Sequence, residues 1–457
     1  MIFLLQRTYP EPETLFRPQI PTTKKLENHR NDRVETVEND PNGIQVEEPD
    51  GGGSRGESDG DGDDLTHGNF NNESFPVLVS WSSWRNSHQA IPHRHEHCRL
   101  ASSWPRSKGE ELQCLKYDDE PNSYLHGLLG DGVKTQVDVD VDAYELQLPP
   151  WYDDEKFKRA QRYFKQNFFA MFVAKLCGLL VVLAVPSILN VLIYTNQSST
   201  AVTAYRRYVA TIMHTLNWYY EDLLPGTAAW KSITYVRRGH VAASKRSNAK
   251  LAGRIVSQKD MAVTQFGFVG YTVLGCKKLG IVYNKEDMEA LVHFWRVIGH
   301  MIGIHDRYNL CTDSLESTED RMRQVQEHIL RPALLSRTDD FEKMGKALID
   351  GLWCFNPFLD YDAFLFMTAR LTGVPGYYYW KEELPSPNSE TKYQNFTRYS
   401  RFILYFLLLV HEVWLRSTIF RWYLNSQMIM SRFLITYFPF LAIFKFGIGD
   451  SYVRILK

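Results

Sequence analysis

Apolar positions along this chain follow two regimes. From about residue 150 to the C-terminus they recur at three- and four-residue intervals, the mark of helices that bury one face. The pattern predicts helices over 155–170, 172–194, 199–219, 227–250, 257–275, 285–304, 317–335, 339–352, 358–371, 401–424 and 427–441. Pro149 and Pro150 open the region, and Asp153 and Asp154 suit the first helix N-terminus, as caps and against the macrodipole. Ser257 and Asn284 stand as further start signals, and Gly275, Gly280, Gly303 and Gly373 suit helix ends or close crossings. No run of strands with tight hairpin turns follows residue 150, so the expected fold class is all-α, with one large helical domain over 146–457.

Residues 1–145 lack that periodicity. Asn28–Asp64, with "GGGSRGESDGDGDD", is acidic and Gly-rich and carries almost no large apolar side chain. Such a stretch cannot offset the entropy of ordering, and a long, largely disordered N-terminal region is expected. The alternating "VDVDVDAYELQL" could be a strand, but it has no obvious partner. Ile2–Leu5 is too short an apolar run for a conventional cleaved signal.

Three apolar segments, near 172–194, 401–420 and 432–446, raise the question of a membrane. Leu176–Tyr194 is uncharged over 19 residues, long enough to span, although Pro186 and Asn190 weaken it and a buried central helix fits as well. The two C-terminal segments are short for a span, and their Trp, Tyr and Arg flanks suit helices lying at a membrane interface. Membrane association is therefore expected. Three sequons, at Asn72, Asn196 and Asn395, add little.

Composition narrows the rest. The formal net charge is −1, so no global field draws nucleic acid. Six scattered cysteines form no CxxC pair, which argues against a zinc ribbon or a compact disulfide framework. "HRHEHC" (His93, His95, His97, Cys98) is dense in metal-ligand types, but its spacing matches no zinc finger and reads as a chance polar cluster.

The helical region contains no GxSxG, P-loop, GxGxxG or HExxH pattern. What remains is polar residues on core-like helices. In "YVRRGHVAASKRSN", His240 shares a face with Arg237 and is surrounded by small residues. A flat macrocycle can approach such a backbone, a neutral imidazole can ligate iron, and Arg237 or Arg238 can pair with a propionate. A solvated basic helix face is the plainer alternative. In "YRRYVATIMHTLNWYY", Arg207 and Thr211 share a face among apolar residues and could polarise bound dioxygen, with His214 competing for the role; an interhelical hydrogen bond is the plainer reading. Thr264, Gln265, Gly267 and Gly270 read as packing residues, Gln265 tying down a neighbour. His293, His300 and His305 invite a metal, but their separations of seven and five residues place only the first two on one face.

Taken in order, "YVRRGHVAASKR", "QKDMAVTQFGFVGY", "HFWRVIGHMIGIHDRYNLC" and "GLWCFNPFLDYDAFLF" resemble the family of ER-bound oxygenases and rubber oxygenases (latex-clearing proteins), over roughly 149–445. The resemblance implies a globin-like helical domain binding haem b, with iron held by His240, and cleavage by O2 of isoprenoid carbon–carbon double bonds to aldehyde and ketone ends. It matches Arg207 and Thr211 to the family's distal Arg-x-x-x-Thr pair. The chain departs from the family at Val241, where Ala is common, and at Ala210, where the rubber oxygenases carry Lys. No carboxylate occupies the region of Val191, where their Glu would fall. The expected function is a haem-dependent oxygenase-like oxidoreductase acting on a polyisoprenoid or another hydrophobic substrate, membrane-associated, at the endoplasmic reticulum. The alternative is a non-catalytic haem- or lipid-binding helical membrane protein. Oligomeric state stays open.

Overall fold

The computed structural model describes residues 123–137, 146–195, 198–250, 256–386 and 388–456. The chain divides into two compact units, 1–71 and 72–457, of which the first lies wholly outside the described residues. The expected disordered stretch 28–64, the "HRHEHC" cluster and the sequons at Asn72 and Asn196 also lie outside them.

Every regular element among the described residues is helical, and the β pairing there is one isolated bridge between Gln136 and Ser257. In chain order the helices are α1 (Tyr124–Leu129), α2 (Asp131–Lys134), α3 (Asp154–Gln166), α4 (Phe168–Leu183), α5 (Pro186–Thr195), α6 (Ala201–Tyr220), α7 (Ala228–Lys250), α8 (Gln258–Leu274) and α9 (Lys285–Met301). There follow α10 (Leu315–Val325), α11 (Arg331–Leu335), α12 (Asp339–Leu352), α13 (Tyr361–Thr372), α14 (Arg398–Glu412), α15 (Thr418–Tyr437), α16 (Phe440–Phe446) and α17 (Ile448–Ser451). Composition placed 123–137 with the disordered region; instead α1 and α2 pack on the helical body, with Leu128 and Val137 buried in its core.

Capping chemistry sets several starts. Asp153 caps α3 by accepting from the Lys156 N–H, and Asn284 caps α9 by accepting from the Glu286 and Asp287 N–H groups. Ser257 and Asp260 form a reciprocal capping box at α8. Helix α4 has no cap of its own. Asn425, on α15, lends its Oδ1 to the Phe169 N–H while its amide donates to Gln166 O.

Helix α4 is the centre of the core, with nearly every residue buried. Helix α8 crosses it so closely that a Cβ on Gly178 would collide with the backbone of Gly267. Gly270, expected to share that crossing, faces the ring of Phe266 on its own helix. Gln265 does tie down neighbours: its amide donates to Trp295 O and Asn309 Oδ1, both at 2.9 Å, and its carbonyl accepts from the Leu310 N–H at 3.0 Å. An aromatic column, Phe157–Phe294–Tyr219–Phe164, joins α3, α9 and α6 with ring centroids 4.5, 4.4 and 3.7 Å apart.

The long uncharged run is not one helix. The chain breaks at Ala184–Val185, because Pro186 has no N–H for the ladder and opens α5 instead. No single described helix is long and apolar enough to cross a membrane; two bent pairs, α3 with α4 (94°) and α14–Arg416 with α15 (120°), pass by length and composition together. The predicted 401–424 helix likewise ends early, at Glu412. The segment 317–335 is helical throughout, but Gln326–Leu330 widens to a π turn just before Pro332, where the missing N–H shifts the ladder.

Candidate functional site

Helices α6 and α7 form an antiparallel hairpin joined by residues 221–227, so residues mirrored about Leu224 face one another. Thr200 and Thr203 fix the start of α6 with a capping box. Near the turn the hairpin is locked by polar contacts. The Trp218 indole N–H donates to Ser232 Oγ at 2.9 Å, and Ser232 Oγ lies 2.8 Å from His214 Nδ1. The His214 ring stacks on Tyr235, centroids 5.4 Å apart. Indole is a donor only, so the serine hydroxyl has its own hydrogen to give to Nδ1. That network orients the His214 ring, which burial keeps neutral.

Two turns from His214 along the α6 face comes Arg207, and opposite it on α7 comes His240. The His240 ring is held neutral: burial, then the positive charge of Arg207, depress its pKa to about 4. Burial, then the charge of His240, depress that of His214 to about 4. Together with the register of the hairpin, these mutual effects put Arg207, His214 and His240 near one another along the seam of α6 and α7. Burial lowers the Arg207 pKa too, opposed by Tyr208 alone, and no carboxylate pairs with it among the described residues. His240 Nδ1 and, one turn on, Ser244 Oγ are buried with no hydrogen-bond partner. A neutral imidazole with an orphaned nitrogen, facing an unpaired guanidinium, suits a ligand that takes a lone pair from one side and brings negative charge to the other.

The other expected site residues divide. Thr211 Oγ1 donates back to Arg207 O at 3.1 Å, which fixes the hydroxyl against its own helix. Arg237 shares the His240 face, but its Nη1 donates to Met301 O at 3.2 Å, tying α7 to α9. Arg238 is exposed and lies about 200° around the helix from His240, away from the seam. Composition gave no hint of Ser232 and Tyr235; the mirror register of a helical hairpin is the signal that would have found them.

The three histidines of α9 and its exit are held apart. His293 Nε2 accepts from the Asp153 N–H at 3.0 Å, while His300 Nδ1 lies 2.8 Å from Asp306 Oδ1. Among the described residues no three His, Cys, Asp or Glu side chains converge as metal ligands. Haem iron asks less of the protein, since one axial side chain suffices and the macrocycle supplies the other ligands. His240 fits that requirement as a neutral imidazole, which would take iron through Nε2, its buried Nδ1 having no hydrogen-bond partner.

Among known proteins, residues 161–375 match the family model described as ER-bound oxygenase mpaB/B'/Rubber oxygenase, catalytic domain. That segment runs from α3 to just past α13 and contains the whole seam. A rubber oxygenase of Streptomyces sp. (strain K30) is 29% identical over 94 residues, which is 21% of this chain and 21% of the relative, so the match spans about a fifth of that protein. A solved structure of latex clearing protein LCP in the closed state superposes with a TM-score of 0.40 at 17% identity, covering 63% of this chain and 76% of the other.

Proposed function

We propose that the chain is a haem-dependent oxygenase-type oxidoreductase that uses O2 on carbon–carbon double bonds of an isoprenoid or other lipid. The observation that supports it most is His240, half-buried and neutral with a buried Nδ1 that has no partner, close to the charge of Arg207, which no carboxylate among the described residues pairs, within the family segment. His240 would hold haem b, which supplies the iron that binds and activates dioxygen. Arg207 sets a fixed positive charge at the seam without reorganising. Thr211, its hydroxyl spent on Arg207 O, braces that turn. Arg237 is anchored at Met301 O, where it ties α7 to α9 beside His240. Arg238 has no role at the seam. In place of the absent lysine and carboxylate, the ionisable group on the α6 face is His214, a neutral imidazole oriented by Ser232 and able to accept a proton.

Absorption spectroscopy of the purified full chain after haem supplementation tests the reading. A Soret band is expected, and it should be lost or strongly shifted in His240→Ala. Absence of the band overturns the haem assignment, and an unchanged band in the variant overturns the ligand. The second reading, a non-catalytic haem- or lipid-binding protein, draws on Ala210 and the lack of a carboxylate at the seam. Haem loading without oxygen uptake on polyisoprenoids would favour it. Membrane association, at the endoplasmic reticulum, completes the proposal, since such a substrate partitions into lipid.

A further inference from the structure

Eighteen of the twenty-eight large hydrophobic side chains exposed among the described residues lie between Tyr399 and Tyr452, a concentration that normal surface scatter does not give. All lie beyond residue 375, outside the family segment. Helix α15 is apolar on two faces. Leu424, Met428 and Ile435 are buried against the body, while Ile419, Trp422, Tyr423, Met430, Phe433 and Tyr437 recur every few residues on the outward face. On α14, Tyr399, Phe402 and Tyr405 point outward, and ring contacts Phe402–Phe406, Phe406–Trp414 and Trp414–Phe420 carry the patch across to α15. Beyond α15, Phe433–Phe438 and Phe438–Phe440 carry it to α16 and its Phe444.

Charge says what covers this face. Arg398, Arg401 and Arg416 are exposed on or beside it, and none pairs with a carboxylate among the described residues. The two acids of the described part of this segment are both taken: Glu412 by Arg370 and Asp450 by Arg206. Aromatic and aliphatic side chains edged by unpaired arginines match an anionic lipid surface, where rings sit at the headgroup level and guanidinium groups meet phosphates. A protein partner would have to bury the same wide apolar area and supply its own acids. One face of α15 packs on protein, because Asn425 holds the helix on the α3–α4 bend and Arg432 lies 4.4 Å over the Tyr220 ring. Helix α15 therefore offers lipid one face only.

We infer that the outward face of α14–α16 docks in the plane of an anionic bilayer, as a monotopic attachment that leaves the helical body in water. This deepens the membrane part of the proposed function and does not depend on haem.

Co-sedimentation of the full chain with vesicles tests it. Phosphatidylcholine vesicles containing about a third phosphatidylserine should carry the chain down, and pure phosphatidylcholine less well. Ile419, Trp422 and Phe444 are 77%, 69% and 87% exposed, so a triple Ser variant leaves the core intact. It should lose at least tenfold in partitioning with an unchanged circular dichroism spectrum. Arg398→Gln with Arg416→Gln should abolish the preference for phosphatidylserine and flatten the salt dependence. A chain that stays in the supernatant with both vesicles, or a triple variant that binds like the parent, overturns the inference. So does a self-association that the triple variant abolishes while the parent ignores lipid, for the face then covers a second copy. The Soret band, read on the same samples, reports separately on the haem site.

Discussion

At the scale of the residue, the chain buries cations where a protein of ordinary design would not. Lys175 is 7% exposed on α4, without a carboxylate, its ammonium 5.6–5.8 Å over the rings of Phe164, Tyr219 and Phe268. Burial pushes its pKa down to about 7. The unfolded chain keeps an ordinary lysine, so between pH 7 and about 10.5 it binds a proton that the folded chain lacks. Stability must then rise with pH across that window and fall as pH drops toward 7. Lys175→Met should flatten this slope and stabilise the chain at neutral pH by on the order of 2–4 kcal/mol, at about 1.4 kcal/mol per pKa unit. Urea midpoints measured from pH 7 to 10 check it; a slope equal to that of the parent would sink the argument. His214 is the other residue with a prediction of its own. His214→Gln should keep the Soret band and lower turnover by roughly 10²-fold or more, the range of general acid–base catalysis. Equal turnover would remove His214 from the chemistry. Arg207 and Thr211 were legible as candidates because polar residues interrupt an apolar helix, and His240 because small residues surround it on a basic one. Their partners were not, because a contact across a hairpin leaves no trace in either helix's own period.

At the scale of the element, local chemistry was readable and tertiary breaks were not. Helix α12 falls on the predicted 339–352, and Ser257 and Asn284 cap as expected. Caps and periodicity are properties of a few adjacent residues. The end of α14 is set from elsewhere: His411 Nδ1 is held at Leu279 O, 2.9 Å away, and Glu412 is held by Arg370 and by Trp380. Both flanking segments are amphipathic, so the apolar period runs on past a turn that distant partners impose. The α4–α8 crossing is similar, for nothing near Gly178 announces Gly267. Gly178→Ala should cost on the order of 3 kcal/mol or more, because its methyl meets backbone and the two helices must part. Gly127→Ala, with nothing within 4 Å of its Cβ, is the control and should be near neutral. Thermal unfolding of the two variants compares them directly, and equal midpoints would show that the crossing relaxes freely.

At the scale of the whole molecule, one buried ion cluster decides whether the lipid-facing helices and the family segment act as one body. The Arg370 side chain on α13 is 3% exposed; it grips Glu383 through Nε and Nη2 and Glu412, on α14, through Nη1 at 2.6 Å. Arg370 is inside the family segment and Glu412 outside it, so the clamp crosses that boundary. Burial alone would raise the Glu383 pKa, but the Arg370 hydrogen bonds and charge outweigh it and hold it down to about 2. A carboxylate depressed in the folded state contributes stability above its unfolded pKa and loses it as pH falls through the folded value. The clamp should therefore weaken progressively from about pH 4.5 to about pH 2, and α14 should loosen with it. Arg370→Met leaves Glu412 without a cation and Glu383 with Lys278 alone, and should cost about 3–5 kcal/mol. Removal of one acid, in Glu383→Gln, should cost less. If the clamp couples the two regions, hydrogen exchange in Arg370→Met should rise first in α14 and in residues 376–386, with α4 and α8 still protected. Vesicle binding should then persist while turnover on a lipid-borne substrate falls, because the docked helices no longer hold the site at the membrane. Uniform loss of protection across the chain, or turnover unchanged in a variant that still binds vesicles, would show that the clamp serves stability alone.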